Sequence, residues 1–247
     1  MRGVSLWPAA LGLSVLGSAG GLLLASVILF FHQDLRTRVV PWLVSYAVGT
    51  LLGAALLGLA PEALHSLEPS RALGTLLAGI LTFFILEKLV LWRHCHDDHQ
   101  CSVHPATATL VIVGDAVHTF VDGVVIAAAV LISMPLGITT ALAIIAHEVP
   151  QEAGDFAILL AAGYSRSKAL ILNLTSAIGG LVGAAAMLLF GSEAPSLVPY
   201  VLAFAAGNFM YVAMSDLIPT LHRGAVDSSA LRQVVLIALG VLTIAGL

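Results

Sequence analysis

An all-α integral membrane protein with eight transmembrane helices is the fold class this sequence predicts. Three observations predict it. Of 247 residues, 59% are hydrophobic and only 10% are charged, against about 25% charged in soluble domains. Mean hydropathy is +1.03. Apolar stretches long enough to cross a bilayer, about 20 residues as a helix, recur from end to end. A β-barrel would instead show alternating segments of about ten residues, and the chain has none.

The spans follow in order. The first, 9–31, opens like a signal peptide, with Arg2 and small residues. Its apolar run continues to Phe31, too long for a cleaved segment, so it counts as a span. The second, 41–66, follows Arg36-Thr37-Arg38 and starts at Pro41; the third, 72–92, follows Glu68-Pro69-Ser70-Arg71. Residues 93–104 are the longest polar stretch, and they separate the third span from the fourth, 106–131. Met134-Pro135 introduces the fifth, 136–162, and Ser165-Arg166-Ser167-Lys168 the sixth, 168–190. The seventh and eighth are 196–219 and 230–247. Gly49, Gly53 and Gly58 in the second span, and Gly179, Gly180 and Gly183 in the sixth, read as close helix packing in lipid. No soluble domain fits, so residues 1–247 form a single polytopic membrane domain.

Basic residues set the orientation. With the N-terminus outside, Arg36, Arg38, Arg93, Arg166, Lys168, Arg223 and Arg232 all fall on the inner side, and only Arg2 and Arg71 outside. Both termini are then extracytoplasmic. The net charge of −4 and the absence of a basic stripe exclude nucleic acid as a partner. Cys95 and Cys101 lie in a loop this topology puts in the cytoplasm, where a structural disulfide is not expected. The expected surroundings are a lipid bilayer and a cell membrane, and the short loops suggest a prokaryotic plasma membrane.

The chemistry concentrates in the fourth and fifth spans. Asp115, His118 and Asp122 share one helical face by their spacing. His147 and Gln151 stack one turn apart, and Glu148, Glu152 and Asp155 form an adjoining row offset by about 100°. An ionisable residue at membrane depth costs about 2.5–3.5 kcal/mol on insertion scales, so such residues face a bundle interior and act on something. A structural ion network would need basic partners, and neither span contains Arg or Lys. Imidazoles with carboxylates and no thiolate suit first-row divalent metals, held without the closure of a structural zinc site. Pro150 inside the cluster frees a carbonyl beside the ligands. Glu62 and Asp216, near Pro61 and Pro219, are further acids that read as entrance or gate ligands or as membrane-end residues. His118 with Asp122 and His147 with Gln151 also hint at an inverted repeat in a three-two-three arrangement.

His118-Thr119-Phe120-Val121-Asp122-Gly123 and His147-Glu148-Val149-Pro150-Gln151-Glu152-Ala153-Gly154-Asp155 resemble the paired motifs of the ZIP (Zrt/Irt-like) metal transporters. They are closest to the branch reading His-Asn-Phe-x-Asp-Gly and His-Glu-x-Pro-His-Glu-x-Gly-Asp. The resemblance runs over essentially the whole chain. It implies that His118, Asp122, His147, Glu148 and Gln151 line a transport site that can be binuclear, with Thr119 at a position of the second metal. It also implies that spans one, four, five and six move against two, three, seven and eight, and it allows a homodimer. Thr119 replaces the branch's Asn and Gln151 its His, which bears on metal number and on zinc preference. The expected substrate is Zn²⁺, with Fe, Mn, Cd or Co as alternatives, carried into the cytoplasm by alternating access. In the polar loop, His94, Cys95, His96, His99, Cys101 and His104 are candidate ligands for a borderline ion.

Two other functions fit parts of this pattern. His147-Glu148-Val149-Pro150-Gln151 begins like the His-Glu-x-x-His motif of zinc hydrolases, but Gln151 and Pro150 depart from it, so no enzyme activity is expected. A non-transporting metal sensor would instead use the His/Cys loop.

Overall fold

The computed structural model describes residues 3–29, 32–94, 105–222 and 228–247. Among them the regular structure is helical, with no strand. Helix α1 spans Gly3–Leu29 and α2 spans Gln33–Gly53, which runs through a π-helical turn, Ala54–Leu59, into α3, Ala60–Ser66. Next come α4 (Pro69–His94), α5 (Pro105–Ile132) and α6 (Met134–Ala161). Helices α7 (Arg166–Ser176) and α8 (Ile178–Glu193) follow, and a 3₁₀ turn at Pro195–Leu197 leads into α9, Val198–Tyr211. A second π-helical turn, Val212–Leu217, joins α9 to α10, Ile218–Leu221, and α11 closes the chain at Ser228–Ala245.

Six helical stretches are long and apolar enough to cross a membrane: Leu6–Val27, Arg38–Ser66, Pro69–Lys88, Val111–Ile132, Arg166–Glu193 and Pro195–Leu221. Large apolar side chains such as Leu23, Leu77, Phe190 and Leu231 lie exposed on their outer faces, as hydrocarbon requires. This is an integral membrane helical protein. Helix α6 is left out of that set by its own polar residues, among them His147, Glu148 and Gln151. Ala230–Ala245 is a shorter apolar helix.

Several expected boundaries shift, each for a physical reason. Helix α2 begins at Gln33 rather than 41, and Pro41 and Arg38 lie inside it. Helix α1 begins at Gly3 with Pro8 inside it. Pro41 was expected at a helix start because a proline's missing N–H costs least there; here the helix runs on through it. The expected sixth span is two helices that break at Ala177. Arg93 and His94, expected in the polar loop, end α4, while Cys95, His96, His99, Cys101 and His104 lie outside the described residues, as does Arg223.

Both π-helical turns end two residues before a proline, Pro61 in one case and Pro219 in the other. A proline cannot donate to the carbonyl four residues back, and its ring crowds that carbonyl. A wider turn at that point accommodates the ring.

Turn chemistry sharpens the remaining ends. Ser133 caps α6, accepting from Leu136 N at 3.3 Å. Gly163 has φ +88°; Tyr164 N reaches Leu159 O at 3.1 Å and Gly163 N reaches Leu160 O at 3.0 Å. That is a Schellman stop, and its left-handed residue favours glycine. At the start of α4 the Ser70 hydroxyl donates to the Glu68 carboxylate and lowers its pKa, which keeps a negative charge at a helix N-terminus.

The helices pack as two sets. Helix α1, α5, α6 and the α7–α8 pair contact one another closely; α2–α3, α4, α9 and α11 form the other set. The sets meet chiefly where α2 and its π turn lie against α6, and where α9 lies against α5. Helix α8 lies almost backbone to backbone on α5. A Cβ on Gly183 would run into the Phe120 carbonyl, and one on Gly179 into that of Ala116. The sixth span's glycines therefore do pack helices, as small residues do in lipid.

Candidate metal centre

Helices α5 and α6 are joined through Ser133 alone, so they run antiparallel and side by side. Their polar faces meet. His118 Nε2 lies 3.2 Å from His147 Nε2, and each imidazole nitrogen is 3.6 Å from Asp122 Oδ2. Glu148 Oε1 is 3.6 Å from His118 Nε2. Two nitrogens and two oxygens thus converge, one ligand atom from each residue within 4.8 Å of the others. In a tetrahedron around zinc with bonds of about 2.0–2.2 Å, ligand atoms stand about 3.3–3.6 Å apart. Of the six separations in such a set, the four between an imidazole and its neighbours lie at 3.2–3.6 Å, close to that range.

The surroundings prepare these atoms. His147 Nδ1 is 3.1 Å from the Ala143 carbonyl. A proton donated there leaves Nε2 with a bare lone pair facing the other ligands, the arrangement metal-bound histidines adopt. Phe83 lies edge-on to His118 at 6.1 Å between ring centroids, and Phe209 lies 6.0 Å from His147. A Cβ on Gly21 of α1 would stand 2.5 Å from Glu148 Cβ, so α1 covers that glutamate closely.

Charge is the unusual feature. Asp122 and Glu148 are buried, and none of their four carboxylate oxygens has a hydrogen-bond partner. Two such anions within 4.8 Å repel by about 3–4 kcal/mol even at an effective dielectric constant near 20. Leaving a buried charge uncompensated costs several kcal/mol more. Among the described residues the ion pairs here involve only the two imidazoles. A divalent cation between these groups would offset that charge.

Asp115, Glu148 and Glu152 form a second convergent group, again within 4.8 Å and entirely buried. The Ser176 hydroxyl donates to Asp115 Oδ2, and Gln151 Nε2 donates to Asp115 Oδ1 at 3.4 Å. The helical rows read from the sequence are therefore rearranged. Glu148, placed in the side row, joins the histidines, while Gln151 turns to Asp115 and to a cavity. Thr119 is buried, and its hydroxyl points at α7, within 2.9 Å of the Ser176 carbonyl and 3.2 Å of the Ala116 carbonyl. Asp155 is half-buried beyond Glu152, and Glu62 is half-buried on α3, outside both groups.

A cavity of about 340 Å³ opens beside the histidine cluster, lined by His147, Pro150 and Gln151 on one wall and by Val40, Asp216 and Thr220 on the other. Asp216 is exposed at the cavity's far end. On the opposite side of the cluster the helices are filled by Val125, Ile126, Ile144 and Ala206, all buried and apolar. Helix α6 passes through Pro150 without a break.

Three buried polar residues went unread in the sequence. Ser176 and Asn173, both buried on α7, were legible as two polar positions three apart in an apolar run. Asn208, also buried and with neither amide atom partnered, precedes Phe209 and gave no signal beyond its polarity.

Comparison with known proteins agrees on one family. The family model for the ZIP zinc transporter matches residues 92–247. The zinc transporter ZIP13 of Pongo abelii is 34% identical over 94% of this chain and 75% of its own length. ZIP13 of Homo sapiens is 31% identical over 94% and 78%. The human zinc transporter ZIP6 is 40% identical over 51% of this chain and 17% of its own length. These relatives are transporters rather than enzymes, and they are animal proteins, which lends the expected prokaryotic source no support.

Proposed function

The chain belongs to the ZIP family of zinc transporters, and we propose that it carries zinc into the cytoplasm through the cluster of His118, Asp122, His147 and Glu148. The observation that carries this reading is the convergence of two imidazoles and two unpartnered carboxylates at the separations of a zinc tetrahedron. Gln151 and Asp216 are the next polar groups an ion meets as it leaves through the cavity.

Alternating access follows from the asymmetry around the cluster. A cavity reaches it from one side, and packed apolar side chains close the other. The cavity lies toward the start of α2 and the end of α10, the ends flanked by Arg36, Arg38 and Arg223, so the open side is the cytoplasmic one. Eight crossings in a three-two-three inverted repeat, with both termini outside, fit the paired π turns before Pro61 and Pro219. The two packed sets are then the parts that move: α1, α5, α6 and α7–α8 carry the ion, and the others form the frame. Zinc is the favoured substrate because imidazole suits it; iron, manganese, cadmium and cobalt compete less well for a site with two imidazoles.

The test is uptake into proteoliposomes that hold the purified chain, with zinc outside and competing ions added singly. Zinc should accumulate inside. A lumen whose zinc does not rise above that of empty vesicles would refute transport and leave the sensor or hydrolase readings.

A further inference from the structure

The geometry points to Asn208 as a positioning residue of the transport cycle: its amide has no partner while the cytoplasmic side is open, and it binds the polar face of α5 when the carrying set faces outside. This inference rests on alternating access through the histidine cluster. It adds a residue of the frame that acts on the moving set without holding the ion.

Asn208 is 0% exposed, and neither its amide nitrogen nor its amide oxygen has a partner among the described residues. Buried amide groups are almost always hydrogen-bonded, and one left wholly unpaired weakens the state that contains it. Its neighbours along α9 offer nothing, since Ala205, Ala206 and Phe209 are buried and apolar. A leucine would sit there without that penalty.

Helical geometry gives the direction in which the amide looks. A Cβ on Gly207 would meet the Leu76 carbonyl of α4, and Phe209 lies 6.0 Å from His147 of α6. At about 100° per residue, Asn208 looks between these two neighbours, toward α5. Val201, seven residues earlier on the same face, lines a crevice with Phe120, Val121, Val124 and Val125 of α5. Val212, one turn after Asn208, lines the open cavity with His147 and Gln151. Asn208 is therefore buried in the seam between α9 and α5, where the two sets meet. It stands between the crevice and the cavity, about 10 Å along α9 from Val201.

Motion supplies the partner. Asp115, His118 and Asp122 form the polar face of α5, and both oxygens of Asp122 are also without a hydrogen bond. When the carrying set moves outward, α5 slides along α9 and draws this face past Asn208. The amide nitrogen then donates to a carboxylate there. A lysine in its place would pair permanently with these acids and compete with zinc. A neutral amide instead favours the outward return of the empty carrier and lets go when zinc arrives.

The experiment reads the outward-facing population in intact cells. Val125, 1% exposed and on the same α5 face as His118 and Asp122, is replaced by cysteine in a full chain carrying Cys95→Ser and Cys101→Ser. A membrane-impermeant maleimide added outside should label position 125 in this parent chain. Asn208→Leu and Asn208→Asp should each slow that labelling by about 5-fold or more, the weight of one hydrogen bond, and slow zinc uptake into proteoliposomes with it. Asn208→Leu should melt at or above the parent in detergent, and Asn208→Val gives the same reading where leucine fits poorly. Labelling at the parent's rate in Asn208→Leu or in Asn208→Asp, or lower melting of both apolar variants, would overturn the role of this amide. A parent chain that is never labelled from outside, or that accumulates no zinc, would instead overturn the alternating access on which it rests.

Discussion

Gln151 stands where the coordination cluster meets open space. Its amide donates to Asp115 at 3.4 Å, and it lines the same cavity as His147 and Asp216. Replacing it by histidine puts an imidazole one helical turn from His147, on the exit route proposed above. Gln151→His should shift competition among ions toward those that favour nitrogen, zinc over manganese, by several-fold; an unchanged selectivity profile in vesicles would show that position 151 does not meet the ion. At this scale the sequence was informative about which residues matter and less so about which atoms meet. The spacing of His118 with Asp122, and of His147 with Glu148, marked two polar faces without basic partners. Helical geometry alone grouped Gln151 with His147, since it cannot tell which edge of a polar face the neighbouring helix will meet. That was decided by how α1 and α5 approach α6, with Gly21 against Glu148. Thr119 was a candidate ligand only through its place in the resembled motif, where the branch has Asn. The end of α7 at Ser176 leaves a carbonyl free nearby, and the Thr119 hydroxyl turns to it.

Elements were readable wherever apolar length alone defines a helix, and misread where proline or glycine acts against its usual habit. Pro41 lies inside a helix rather than at its start, while Pro61 and Pro219 are accommodated by π turns that no local propensity announces. The break at Ala177 precedes Gly179, whose missing side chain lets the following helix press onto α5. Glycine spacing thus carried packing information that hydropathy did not. Gly183→Ala should destabilise the detergent-solubilised protein by about 1–3 kcal/mol, the usual cost of overpacking, because its Cβ would strike the Phe120 backbone. Gly74→Ala, where nothing lies within 4 Å, should be neutral or slightly stabilising, as alanine favours helix over glycine by about 1 kcal/mol. Thermal unfolding of the two variants side by side checks this, and equal behaviour would contradict the packing of α8 on α5.

For the whole molecule, the membrane class was plain from composition, since 10% charged residues cannot clothe a soluble surface. The division into two packed sets was not visible in composition or hydropathy, because which helices touch depends on contacts far apart in sequence. Orientation is the claim at this scale. Cys95 and Cys101, the chain's two cysteines, belong to the stretch between α4 and α5. A membrane-impermeant maleimide should label them in inside-out vesicles and not in intact cells; labelling from outside would reverse the direction of transport. Removing residues 94–104 should leave zinc uptake in place at reduced rate if that stretch only receives or senses ions, and complete loss of uptake would place it on the transport path itself.

All of this depends on His118 and His147 sharing one transported ion between α5 and α6. Zinc accumulation in proteoliposomes by His118→Ala and His147→Ala, compared with wild type at equal inserted protein, tests that most directly. Each variant should lose at least about 10-fold in uptake, since even outer-shell changes at metal sites cost about 10–100-fold, while insertion and melting stay as in wild type. Uptake undiminished in either variant would mean that the ion does not pass between these two helices.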